Sequence, residues 1–249
     1  VKVATWNVNG IRARESQFAQ WAEREAPDVI CLQELKSPAA KIPPSLVELP
    51  GYWCYWHGET AYSGVGLHLK KAFCGEKPSF SHPSFDHETR IVTARSSDLL
   101  FASIYVPNGG KNFEDKIRFL HEMERFAARC HDEKLRIVLC GDLNVARSEI
   151  DVHPKERKAV IGQLPEERAL LDAILRRGLV DVGRALDPAN ENLFTWWPPW
   201  RQMRQRNIGW RLDYVLASEP AASLATACAV FPGVGTSDHA PVVGSFEIS

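Results

Sequence analysis

Short runs of apolar, β-branched and aromatic residues recur along the chain at 2-8, 28-33, 51-57, 63-70, 90-95, 99-106, 135-141, 210-217, 224-231 and 241-248. Most end at Gly, Pro, Asn or Asp, which interrupt extended backbone, so each run predicts a β-strand. Helical spacing of apolar residues appears in three other places: Phe18, Trp21 and Ala22 in 13-25; Phe113, Ile117, Leu120 and Ala127 in 112-131; Leu170, Leu171, Ile174 and Leu175 in 165-177. Asn112 is placed to cap the second helix, Pro165 to start the third and Gly178 to stop it. Strand, helix and strand follow one another in each half (2-8, 13-25, 28-33 and 99-106, 112-131, 135-141). That order predicts two similar halves packed sheet against sheet with helices outside, although no repeat is visible in the residues themselves. Segments 37-50, 74-89 and 145-164 are rich in Pro, Ser or charge and read as loops. The last runs on from Gly141-Asp142-Leu143-Asn144, which makes it a candidate reader of substrate.

At 249 residues and 45 % hydrophobic the chain predicts one domain, with nothing that resembles an interdomain linker. No stretch approaches the roughly 18 apolar residues of a membrane span, and Val1-Lys2-Val3-Ala4-Thr5-Trp6 reads as strand rather than leader. The expectation is a soluble, cytoplasmic monomer without a membrane partner. Six cysteines at 31, 54, 74, 130, 140 and 228 show no CxxC spacing, and Cys31 and Cys140 lie inside apolar runs. They read as reduced core thiols rather than as zinc ligands or disulfides. A net charge of -1 excludes a polycation that coats nucleic acid indiscriminately. A local patch remains: Arg201, Arg204, Arg206 and Arg211 interleave with Trp196, Trp197, Trp200 and Trp210. Arginines for phosphate beside flat aromatics suit nucleic-acid contact, and a solvated basic loop over core tryptophans accounts equally well for the composition.

Polar groups recur where the apolar runs stop. Glu34 ends Asp28-Val29-Ile30-Cys31-Leu32-Gln33, where a carboxylate must be solvated, paired with Lys36 or Arg12, or bound to a cation such as Mg2+. Asp142 and Asn144 follow Ile137-Val138-Leu139-Cys140-Gly141 at a spacing that puts both on one side of an extended backbone. The aspartate suits a proton acceptor for an attacking water and the amide suits orientation of that water; a Gly-Asp-x-Asn turn is the structural alternative. Asp238 and His239 precede the terminal strand, and a histidine kept protonated by a carboxylate would stabilise charge building on phosphorus, with Asp213 the candidate partner. Tyr105 and Asn108 leave another strand end, where the phenol suits donation to phosphate or a core position with a wet hydroxyl.

Together the blocks WNVNG (6-10), LQE (32-34), SGVG (63-66), YVPNG (105-109), GDLN (141-144), FTWW (194-197), NIGWRLDY (207-214) and SDHAP (237-241) resemble, in order and separation, the exonuclease III family of abasic-site endonucleases. The resemblance spans the whole chain and implies an α/β (α+β) fold, a four-layer sandwich of two facing mixed β-sheets flanked by helices. It implies that Asn7, Glu34 and Asp238 serve a Mg2+ ion, with Mn2+ as substitute. It further implies that Tyr105, Asn108 and His239 contact the scissile phosphate, that Asp213 holds His239 protonated, that Asn144 orients the nucleophile and that Asp142 is the base or proton shuttle. Trp196, Trp200 and Leu212 would line the pocket for a flipped-out sugar, and Arg12, Lys111, Arg201, Arg206 and Trp210 would join them in holding DNA. The implied reaction is attack of water on the phosphodiester 5′ to an abasic deoxyribose in duplex DNA, with removal of blocked 3′ ends and 3′-5′ digestion as related activities.

Two departures stand out. Asn9 occupies a position where some relatives carry aspartate, and His153 to Gly162 lacks the asparagines that others place beside the lesion and is about a residue shorter. The basic loop would then grip backbone phosphate, making binding salt-dependent. Other phosphodiesterases of the superfamily, and a DNA-binding relative without catalysis, are the rival readings. The arginine- and tryptophan-rich segment argues against lipid enzymes, and Glu34, Asp142, Asn144, Asp213, Asp238 and His239 together argue against an inactive relative.

Overall fold

The computed structural model describes residues 1-96 and 98-247; residue 248, the last of the run 241-248, lies outside the described residues. The strands are β1 (Lys2–Asn7), β2 (Val29–Gln33), β3 (Tyr52–His57), β4 (Val65–Lys70), β5 (Ser79–Ser81), β6 (Ile91–Ser96), β7 (Leu99–Tyr105), β8 (Arg136–Asp142), β9 (Leu179–Asp181), β10 (Asp213–Ser218), β11 (Ala225–Val230) and β12 (Val242–Phe246). They form two six-stranded sheets, ordered β11-β12-β1-β2-β4-β3 and β5-β6-β7-β8-β10-β9. Each has a central parallel pair, β1 with β2 and β7 with β8, and every other pairing is antiparallel.

The apolar runs are continuous rather than alternating because both faces of each sheet are covered. Val3, Val29, Cys31, Leu67, Val92, Phe101, Val138, Cys140 and Val215 face inward and form the core between the sheets. Ala4, Trp6, Ile30 and Leu32 face outward against Phe18, Trp21 and Ala22 of helix Glu15–Glu25. On the second sheet, Ile104, Ile137 and Leu139 meet Phe119, Leu120 and Met123 of helix Phe113–Asp132 and Leu171 and Ile174 of helix Pro165–Leu175. The result is the expected sequence of layers: helix, sheet, sheet, helix.

Some boundaries differ from the sequence reading. Residues 13-25 begin as a tighter 3-10 turn, Ile11–Arg14, and the third helix ends at Leu175 rather than 177. Asn112 does cap the second helix, its Oδ1 accepting the N–H groups of Glu114 and Asp115. The run 210-217 enters the sheet only at Asp213, because Trp210 is drawn aside into isolated bridges with Val152 and Trp196. β5 and β9 were not expected; each is a three-residue edge strand too short to show a pattern. All six cysteines are free thiols, and among the described residues no helix is long and apolar enough to cross a membrane.

The sheets are tied together at one end. Cys31 Sγ lies 3.7 Å from the Ala102 carbonyl, Gln33 donates to Ser103 Oγ at 3.1 Å, and Ser103 donates to the Leu32 carbonyl at 3.1 Å. Gly141 allows β8 to close on β7: an added Cβ would sit 1.8 Å from the Ile104 carbonyl oxygen. The next residue is Asp142.

Candidate active site

The carboxyl ends of β1, β2, β7 and β8 share this edge with the amino ends of their antiparallel partners β10 and β12. Six distant segments thereby deliver their polar ends to one place. Turns in the left-handed region aim several of them: Asn9 (φ 46°), Glu34 (φ 51°), Lys36 (φ 49°) and Asn144 (φ 51°). Outside glycine such a backbone costs about 1–2 kcal/mol per residue, and surrounding contacts must hold it. Here they do, since Gly10 N–H bonds Glu34 O at 2.7 Å and Lys36 N–H bonds Ser63 O at 2.8 Å.

Asn7 is the hinge between the sheets. Its Nδ2 donates to Glu34 Oε1 and to Asp142 Oδ2, each at 2.9 Å, while its Oδ1 accepts the Asn9 N–H at 3.0 Å. Asp142 Oδ1 accepts the Asn144 N–H at 2.9 Å, and Asn144 Nδ2 reaches Val106 O at 2.8 Å and Asp142 Oδ2 at 3.3 Å. His239 Nδ1 meets Asp213 Oδ2 at 2.8 Å, and its Nε2 lies 3.8 Å from Asp142 Oδ2. Asp213, Asp142 and His239 are all buried. Asp238 stands beside this group and supports the His239 charge, while accepting from Asn9 Nδ2 at 2.7 Å and Trp196 Nε1 at 2.9 Å.

Charge is unevenly distributed here. Burial, together with Asp213 and Glu34, pushes the Asp142 carboxyl up to about 7 despite the favourable His239 charge. Burial opposes protonation of His239, but Asp213 and Asp142 outweigh it and raise the imidazole to about 10. Glu34 is held below its ordinary value: the cost of burial is more than offset by the Asn7 amide and by Lys36, whose Nζ is 2.8 Å from Oε2. Burial and the nearby Glu34 and Asp142 raise the Tyr105 phenol well above its ordinary value, keeping it a donor. Lys36 therefore realises the ion-pair reading of Glu34, and Arg12 is not its partner.

Does a divalent cation fit? Donor atoms of Glu34, Asp142 and His239 lie within 4.8 Å of one another. Among the described residues, the cations paired directly with the carboxylates of Glu34, Asp142, Asp213 and Asp238 are Lys36 and His239, with Lys116 near Asp142 and Arg204 near Asp238. Two positive charges on an oxygen-ligated ion would offset that surplus, and a hard ion such as Mg2+ needs only one or two carboxylates beside its waters. Glu34, with Asp142 beside it and Asn7 as the amide that holds both, is the set able to receive it.

A cavity of about 350 Å³ opens over these groups, lined by Glu34, Tyr105, Asn108, Asn144 and His239 and walled by Ile161, Trp196, Trp210 and Leu212. Trp196 and Trp210 meet edge to face at 5.4 Å between ring centroids. Trp200 is 57 % exposed and does not line the cavity, so its predicted place in the pocket wall is corrected to the outer surface. Arg12, Lys111, Arg201 and Arg206 are exposed. The patch reading fails for the other two arginines. Arg211 is buried between Asp151 and Asp181, and Arg204 stacks over Trp197 while donating to the carbonyls of Pro232, Val234 and Ser237.

One supporting pair was missed. Lys116, fully buried, donates to Asn144 O at 2.7 Å and Asn108 O at 3.4 Å and pairs with Glu167, which accepts the Gly162 and Leu164 N–H groups. The pair thus fixes three loops of the cavity from beneath. Both residues fall on otherwise apolar helical stripes, Lys116 with Leu120 and Met123, Glu167 with Leu170, Leu171 and Ile174, and that was the available signal.

Comparison with known proteins agrees with this geometry. Residues 4-239 match the endonuclease/exonuclease/phosphatase family. The chain is 34 % identical over 251 residues to the DNA repair nuclease APEX1 of Danio rerio, covering 97 % of this chain and 81 % of that protein. It is 32 % identical over 248 residues to an exodeoxyribonuclease of Bacillus subtilis, covering 97 % and 98 %. Recombination repair protein 1 of Drosophila melanogaster is 32 % identical over 254 residues, and the chain spans only 37 % of that longer protein. An AP endonuclease from Archaeoglobus fulgidus superposes with a TM-score of 0.89 at 28 % identity, covering 100 % of both chains. The chain belongs to the endonuclease/exonuclease/phosphatase family, in the exonuclease III branch of abasic-site endonucleases.

Proposed function

We propose that this chain is a Mg2+-dependent DNA-repair phosphodiesterase that incises duplex DNA 5′ to abasic sites and also processes 3′ ends. The observation that carries the reading is the buried line Asp213, His239, Asp142, which reaches a cavity with apolar walls through His239. An abasic deoxyribose has no base to unstack, so it is the nucleotide least costly to extrude into such a cavity. Ile161, Trp196, Trp210 and Leu212 exclude an intact nucleotide's polar base and shelter the sugar.

Asp142 takes a proton from the attacking water, and Asn144, fixed by Val106 O, orients that water. His239 donates from Nε2 to the phosphoryl oxygen on which charge builds, with Asp213 holding Nδ1. Tyr105 and Asn108 add neutral donors at the cavity rim. A Mg2+ ion held by Glu34, replaceable by Mn2+, would supply Lewis-acid polarisation of the phosphate and offset the surplus carboxylate charge. Arg12, Lys111, Trp200, Arg201 and Arg206 lie outside the cavity, where they suit the flanking backbone.

The test compares duplexes carrying an abasic analogue, a 3′-phosphate, a recessed 3′ end or no damage, side by side with Mg2+, Mn2+ or chelator. Expected is cation-dependent incision 5′ to the analogue, faster than any cut in undamaged duplex. No incision with either cation at low salt contradicts the proposal.

A further inference from the structure

Away from the catalytic centre, a second group of donors joins the free edges of the two sheets. β3 is the edge of the first sheet and β5 the edge of the second, and Tyr55 stacks on Phe80 across them at 4.9 Å. Just beyond, the His57 and His82 rings stack at 3.9 Å, and His57 Nε2 lies 2.6 Å from Asp86 Oδ2. One ligand atom from each of His57, His82 and Asp86 falls within 4.8 Å of the others.

Two of the three donors are already oriented from behind. Asp86 Oδ1 accepts the backbone N–H groups of Arg90 and Ile91 at 2.8 and 3.1 Å, which leaves Oδ2 to face His57. His82 Nδ1 contacts the Ile91 carbonyl at 3.2 Å. A carbonyl only accepts, so in the neutral ring the proton sits on Nδ1 and Nε2 carries the lone pair. A backbone carbonyl or other acceptor on the second ring nitrogen is the usual support of a metal-bound histidine. The Tyr55 hydroxyl stands 2.8 Å from His82 Nε2, a further oxygen at the same point.

We propose that His57, His82 and Asp86 form a second metal site, for Zn2+, that clips the edges of the two sheets together. Two imidazoles and one carboxylate suit zinc, whereas Mg2+ prefers an all-oxygen shell and water. A tetrahedral zinc with bonds of about 2.0–2.1 Å keeps its donors roughly 3.3 Å apart, so on binding the His57–Asp86 contact opens slightly and one ring turns out of the His57–His82 stack, whose planes are only 24° apart, to bring both lone pairs onto the ion. The fourth position falls to water or the Tyr55 oxygen. His57 pairs with Val65, as Gln33 does from the other side, so the site stands at the same end of the sheets as the catalytic cavity. Its charge would add to the face that receives the polyanion. The proposal does not depend on the catalytic reading.

The test titrates the intact protein with Co2+, and then with Zn2+ as competitor, while excess Mg2+ occupies the catalytic centre. Expected is one equivalent of Co2+ with tetrahedral visible bands, no thiolate charge-transfer band, and displacement by Zn2+. His82→Ala, at an exposed position, abolishes this binding, and His239→Ala retains it. Zn2+ also raises the thermal midpoint of the wild type and leaves that of His82→Ala unchanged. Absence of binding, thiolate bands, or an ion retained in His82→Ala but lost in His239→Ala overturns the proposal.

Discussion

In both sheets a central parallel pair is joined through a long helix and flanked on each side by two antiparallel strands, yet the two deliver different chemistry to the shared edge. The first contributes Asn7, Glu34 and, on the approach to β12, Asp238 and His239. The second contributes Tyr105, Asp142 and Asp213 at the ends of β7, β8 and β10. Asp142 and Asp213 are buried carboxylates whose compensating imidazole comes from the opposite sheet. Neither half is a site on its own, because a buried charge left without its partner is too costly to keep. The layers covering the sheets differ too. Behind the second, the Lys116–Glu167 pair reaches through to Asn108 and Asn144. Behind the first, His68 is fully buried against Trp56 with no hydrogen-bond partner on either ring nitrogen.

The largest expected effect lies where the sheets meet. Asp142→Asn lowers the single-turnover rate on an abasic duplex by roughly 10²–10⁴, the usual range for a general base, while DNA affinity measured with the cation present stays near wild type. Next is the second sheet's covering layer. Lys116→Met leaves Glu167 buried without its cation and destabilises the fold by about 3–5 kcal/mol, whereas Lys116→Met with Glu167→Leu recovers part of that loss; denaturant melts of both variants check this. In the first sheet, Glu34→Gln raises the Mg2+ concentration for half-maximal cleavage by roughly 10–100-fold, read from a metal titration.

A further comparison separates the covering layers by pH. Burial holds the His68 imidazole down at about 3, against 6.5 for the free side chain. Its folded pKa is depressed, so the unfolded chain binds the proton first, and stability is lost as pH falls from about 6.5 towards 3. His68→Leu flattens that slope in thermal melts across this window. A slope unchanged by the substitution assigns acid lability to other groups.

Much of this arrangement was legible because the central strands are buried on both faces, so runs such as Val29-Ile30-Cys31-Leu32 carry a strong signal that stops abruptly at a polar residue. Those stopping points, Asn7, Glu34, Tyr105 and Asp142, are the ones that meet. The edge strands were hidden by their length: Ser79–Ser81 is polar, and Leu179–Asp181 continues the apolar end of a helical pattern. Burial of Arg211 and docking of Arg204 depend on Asp151, Asp181 and the carbonyls of 232, 234 and 237, none of which is local to them. Composition alone therefore counted four arginines as surface. Lys116 and Glu167 carry the opposite signal, since each places a charge on an otherwise apolar helical stripe.

On the proposed mechanism one base and one imidazolium, supplied by opposite sheets, act on a single phosphate. Its most direct test is the pH dependence of single-turnover cleavage of an abasic duplex by wild type and Asp142→Asn at saturating Mg2+. Asp142 accepts a proton only when ionised, so the wild-type rate falls as pH drops through its pKa, at about 7 or below, since a bound cation lowers it further. His239 loses its charge as pH rises through about 10, giving a second, alkaline fall. Asp142→Asn is expected to lose the acid limb and keep an alkaline limb displaced to lower pH, because the carboxylate no longer supports the imidazolium; an acid limb unchanged in that variant overturns the assignment of Asp142 as base.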